Sequence, residues 1–146
     1  DQIMFNLLLV MVLLPSFAAA DESINIIGTW QGVTNAAVMG VDKHYTTINA
    51  ENIRFVNVKM ELVFDRQQGQ NFSGYNLTNN HKEPVIGAFR SNMKSGVLVD
   101  SNGTTIFDMV GNNKMDVCYA HVMSHGEASA VASCAEFERQ SIQPED

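Results

Sequence analysis

The chain has 146 residues, 45% of them hydrophobic, and nine Lys and Arg face 16 Asp and Glu for a net charge of −7. That length suits one domain with a core of its own. An acidic balance without any cluster of Lys or Arg excludes nucleic acid or an anionic lipid surface as a charge-driven partner.

Residues 4–20 (MFNLLLVMVLLPSFAAA) carry an apolar run from Leu7 to Leu14, then Pro15, then the small residues Ala18, Ala19 and Ala20 ahead of Asp21 and Glu22. This order predicts a secretory signal peptide over residues 1–20 and a single β-barrel domain over 21–146, exported to the periplasm or the extracellular space. The run is shorter than the roughly 20 apolar residues that cross a bilayer, so no membrane span is expected after cleavage. Asp21 stands where a lipid-modified cysteine would be needed, which predicts a freely soluble product. No Lys or Arg precedes the apolar run; translation starts at Met4 or upstream of Asp1.

From Ile24 onward short strand-like runs alternate with Gly, Asn and Asp, and no segment has a helical period. The clearest run places Val56, Val58, Met60, Leu62 and Phe64 on one face and Asn57, Lys59, Glu61 and Asp65 on the other. Period two with one polar face is a half-buried strand of an antiparallel sheet. Further strands are expected over 24–33, 72–77, 85–90, 96–100, 104–110, 115–122 and 129–139. Turn chemistry separates them: Gln67 to Gln70, Ser101-Asn102-Gly103 with an Asn-Gly pair suited to positive φ, and Gly111 to Lys114. Eight strands on short links form a meander, and closing it into an up-and-down barrel removes the exposed edges. Residues 34–52 are the main irregular piece, in which Ala36 to Met39 is read as a helical turn or a lid over one barrel mouth.

A hairpin centred on Gly126 sets Cys118 opposite Cys134, which predicts a cross-strand disulfide and an oxidising compartment. Neither cysteine belongs to a C-x-x-C spacing, so a redox-active pair is not expected. The same register turns Met115, Val117, Tyr119 and His121 inward, with Val131, Ser133, Ala135, Phe137 and Arg139 on the facing strand.

Gly28-Thr29-Trp30 on the first strand, Phe72-Ser73-Gly74-Tyr75 on the third and Arg139 at the end of the last resemble the calycins, the lipocalins, fatty-acid-binding proteins and avidins. That resemblance implies an eight-stranded barrel plugged at one end by the tryptophan and a basic residue of the final strand. The G-T-W start looks most like the avidin/streptavidin branch of exported bacterial barrels. Avidins line their pocket with several tryptophans, whereas this chain has only Trp30, so biotin binding is not carried over.

Trp30, Tyr119, His121, Ser133, Phe137 and Arg139 are the candidate ligand-binding residues, polar groups converging in an apolar cup. A competing reading keeps Trp30 with Arg139 as a cation–π plug and lets Tyr119 and His121 bond each other. His121 and His125 share a face only on a helix, so no metal site is assigned. Ser133 with His121 lacks a third group or an oxyanion donor; no catalytic residue and no cofactor is assigned. Three functions remain, in this order: binding of a small, mostly apolar molecule at the barrel mouth; a protein-interaction module such as an inhibitor of an extracellular enzyme or a subunit of an envelope assembly; and last a small barrel enzyme using His121, Tyr119 or Ser133. Asn71, Asn76 and Asn102 open N-x-S/T sequons, about the number that this much Asn gives by chance.

Overall fold

The computed structural model describes residues 24–40, 53–78, 81–123 and 129–140. They form eight strands: β1 (Gly28–Gly40), β2 (Arg54–Gln68), β3 (Asn71–Thr78), β4 (His81–Phe89), β5 (Ser95–Val99), β6 (Thr104–Met109), β7 (Lys114–Met123) and β8 (Ser129–Arg139). Each pairs antiparallel with the next, and β1 also pairs with β8, so the meander closes into the expected up-and-down barrel. The signal peptide expected over 1–20 lies outside the described residues, and among these no helix is long and apolar enough to cross a membrane.

Alternation along each strand separates interior from exterior. On β8 Ser129, Val131, Ser133 and Phe137 are buried while Ala132, Cys134, Glu136 and Glu138 are exposed. On β7 Met115, Val117 and His121 point in, and Asp116, Cys118 and Ala120 point out. The register of these two strands makes Cys118 and Cys134 direct partners, bridged on the outer face with their Cα atoms 4.1 Å apart. Closing the short loop between them restricts the unfolded chain, which stabilises the fold by about 3 kcal/mol.

Two local expectations are corrected. Residues 34–40 were expected in a loop, yet they are the second half of β1, with Thr34, Ala36 and Val38 buried. Ala36 and Ala37 are weak strand formers, but Ala36 pairs with Val56 on one side and Ser133 on the other, and two ladders override local preference. Ala36 to Met39 is therefore neither a helical turn nor a lid; residues 41–52 lie outside the described residues. The turn at Ser101-Asn102-Gly103 does not use positive φ either. Asp100 Oδ1 accepts from the backbone N–H groups of Asn102 (2.8 Å) and Gly103 (2.7 Å), an Asx turn that needs no left-handed residue. Positive φ occurs instead at Gly69 and Gly111, in the turns before β3 and β7.

One end of the barrel is solid. Ile26, Trp30, Phe64, Phe72, Phe89, Phe107, Met115 and Phe137 fill it, and the rings of Phe64 and Phe72 meet edge to face at 5.1 Å, as do Phe89 and Phe107 at 5.3 Å. Gly96 makes room for this packing: a Cβ there would lie 2.6 Å from the Phe107 ring. Trp30 Nε1 donates to the Ile26 carbonyl at 2.9 Å, and the Arg139 guanidinium lies 4.4 Å from the Trp30 ring centre. Arg139 also donates to the carbonyls of Ile27 (2.7 Å), Asn112 (3.1 Å) and Asn25, tying the segment before β1 and the β6–β7 turn across the barrel floor. Replacing Arg139 by Ala removes a cation–π contact of roughly 0.5–2 kcal/mol and charge-assisted hydrogen bonds. Urea unfolding followed by Trp30 fluorescence should show a loss of about 2–3 kcal/mol, of which Arg139→Lys recovers only part because Lys lacks the planar fork.

Candidate functional site

Above the aromatic floor the interior changes character. A second, smaller apolar cluster of Ala36, Val38 and Val131, with Val56, Val58 and Tyr119 packed against it, lies separately toward the mouth, the end of the barrel at which β1, β3, β5 and β7 finish and β2, β4, β6 and β8 begin. Between the two clusters is a partly enclosed cavity of about 40 Å³, measured as room for the centres of water-sized spheres. This is room for a small molecule or the head of a larger one, well short of what surrounds a drug-sized ligand.

The cavity has two chemistries. Leu62, Val85, Leu98, Val117 and Phe137 form its apolar side, and Thr34, Asn76, Thr105, Tyr119 and Ser133 bring hydroxyls and one amide. Strand pairing explains the grouping, since Tyr119 is the cross-strand partner of both Thr105 and Ser133. Asn76 comes from the inward face of β3, four residues after Phe72, and is only 8% exposed. Its Oδ1 atom has no hydrogen-bond partner. A buried unpartnered polar atom costs roughly 1–3 kcal/mol, which marks this part of the wall as one that gives up stability.

Closer to the mouth a polar chain runs along the wall. Tyr119 Oη lies 2.8 Å from His121 Nδ1, and His121 Nε2 lies 3.0 Å from Ser129 Oγ. Glu83, the cross-strand partner of Asn76, is buried and accepts a hydrogen bond from Ser101 Oγ. Arg54 donates to the Gly40 carbonyl at 3.1 Å, bracing the mouth ends of β1 and β2.

The six candidate residues divide among three places. Tyr119, Ser133 and Phe137 line the cavity, His121 sits above it in the polar chain, and Trp30 and Arg139 form the floor plug. His125 lies outside the described residues, and among these no group of three metal-ligating side chains occurs. Sequence reasoning missed Thr34, Asn76 and Glu83. The period-two pattern Phe72, Gly74, Asn76, Thr78 held the signal for Asn76, which a sequon reading obscured; buried inside the barrel, it presents no surface for a glycan.

The outer face holds one further feature. Phe55, Ala37, Ala132 and Ala120 follow one another across β2, β1, β8 and β7, beside the disulfide and Ile106. Small side chains form a shallow hollow there, and Phe55 at its rim is 84% exposed.

No protein-family model matches the chain, and no curated protein matches it. Among solved structures it is similar to an S-type phycobiliprotein lyase, CpeS from Guillardia theta, at 7% identity and a TM-score of 0.43, covering 81% of this chain and 90% of that one. It is also similar to a redesigned β-barrel at 9% identity and a TM-score of 0.41, covering 87% of this chain and 100% of that one. Likenesses this distant carry nothing about ligand or activity. The closed eight-stranded meander itself fits the calycin-like barrel architecture.

Replacing His121 by Ala would empty buried volume and remove a partner from both Tyr119 and Ser129. Thermal or urea unfolding should record a loss of about 2–4 kcal/mol, while His121→Gln, which keeps a polar side chain, should lose less.

Proposed function

We propose that the protein is an exported carrier that holds a small, mostly apolar molecule in the middle of the barrel, with its polar end toward the wall of β3, β6, β7 and β8. One observation carries this reading: the interior is not packed continuously, but leaves a cavity with an apolar side and a hydroxyl-lined side between two separate apolar clusters. Protein interiors are otherwise close-packed, so a retained, two-sided cavity supports a binding role. The plug of Trp30 and Arg139 supports placing the fold near the avidin and lipocalin barrels, and the outward disulfide supports export.

Isoamyl alcohol is a suitable probe, with a branched apolar body and one hydroxyl. In a titration of the oxidised protein followed by methyl NMR, the signals of Leu62, Val85, Leu98 and Val117 should shift together. Ser133→Phe, which fills the cavity from its polar wall, should abolish the shifts without unfolding the protein. A wild-type protein whose cavity methyl groups ignore the probe contradicts the carrier reading.

A second reading, the interaction module, has the outer hollow in its favour, because contiguous exposed apolar surface marks interaction sites. The simplest partner to test is a second copy of the chain, with its Phe55 set over the alanine floor. Sedimentation velocity should then show a dimer that Phe55→Glu converts to monomer; a wild-type monomer at every concentration removes this reading.

A further inference from the structure

Resting on the carrier reading, we propose that the cavity continues sideways into a slot along β2, and that its ligand is an uncharged amphiphile longer than the cavity. The polar end sits in the cavity, and an aliphatic chain passes Met60 and lies over Val58 and Val56. Closure seals the barrel at β1, but the stagger that tilted strands need in order to close leaves the mouth half of β2 with one neighbour. β2 pairs with β1 from Arg54 onward, whereas its pairing with β3 starts at Glu61 opposite Leu77, so among the described residues no strand flanks 54–60 on the side away from β1. On that stretch Val56, Val58 and Met60 share the inward face of Leu62 and Phe64, yet they are only half-buried. Their neighbours Ala36 and Thr34, paired with Val56 and Val58 on β1, are 5% and 4% exposed, so the exposure on β2 belongs to its unpaired side. Met60 also lines the cavity, which joins slot and cavity at its side chain.

The cavity alone, with about 40 Å³ for the centres of water-sized spheres, takes a head and not a chain. From Met60 to Val56 the strand rises about 13 Å, and every inward side chain on the way is apolar. A chain laid on this strip removes apolar surface of both partners from water, so each added methylene contributes until the strip ends. Compact molecules gain nothing from it. Met60 suits the junction, because its unbranched side chain has the freedom to move aside for a ligand and to cover the opening without one. None of the described residues that line the cavity is charged, so an ionised head finds no compensation there.

The test is an NMR titration of the full oxidised chain with the straight-chain alcohols butanol, hexanol, octanol and decanol. Affinity should rise about twofold per methylene from butanol to octanol, since a chain on an open strip is half-buried and full burial gives roughly fourfold. Octanol and decanol should move the methyl signals of Val56 and Val58, whereas butanol should move only those around the cavity. Val58→Thr, which sets a hydroxyl on the strip at similar volume, should flatten the rise so that the four affinities converge on that of butanol. Affinities that peak at butanol, or long alcohols that move Val38 and Val131 instead of Val56 and Val58, would overturn this inference and leave the carrier reading standing. Failure of all four alcohols would overturn the carrier reading itself. Should Val58→Thr not fold, the affinities and methyl signals of the wild type decide the matter alone.

Discussion

Closure of β1 onto β8 is the constraint from which the rest of the structure follows. A single strand, Gly28–Gly40, pairs along most of its length with β2 on one side and β8 on the other, which leaves no edge and fixes every inward position. Closure also demands close approach along the seam. Gly32 faces Phe137 across the β1–β8 seam, where a Cβ would sit 2.7 Å from the Glu136 carbonyl oxygen and 3.1 Å from the Phe137 ring. Glycine there lets the ring lie over the seam and complete the floor.

With the ring of strands closed, the diameter of an eight-stranded barrel leaves space that side chains fill or a ligand occupies. At the floor, phenylalanines and a tryptophan fill it, with Gly87 and Gly96 as the small partners of the large rings. In the middle, threonine, serine and asparagine replace the large side chains and the space stays open. Size alternation along the strands therefore separates a load-carrying half from a hollow half. The floor can supply stability that the wall around Asn76 gives up, a division common where a binding site is built into a stable scaffold.

Much of this architecture was legible in the sequence because period-two alternation is local and strong. The β7–β8 hairpin, the inward set on both its strands and the cysteine pairing follow from one register, and that register is observed throughout. The extension of β1 past Val33 was not legible, since Ala36 and Ala37 have little strand preference and are held by partners distant in sequence. The site was half legible. Tyr119, Ser133 and Phe137 belong to the readable hairpin, whereas Asn76 and Thr34 become cavity residues only through barrel closure, which brings β3 and β1 opposite β7 and β8. Trp30 and Arg139 carried a strong motif, but their geometry serves the floor.

The measurement that bears most directly on a hollow, ligand-holding barrel is an atomic-resolution crystal structure of the protein purified without denaturation. The account predicts non-protein electron density between Leu98, Val117 and Phe137, its polar end toward Tyr119 and Ser133. Collapse of Met60, Leu98 or Tyr119 into that space, with Asn76 hydrogen-bonded to the protein itself, would contradict it.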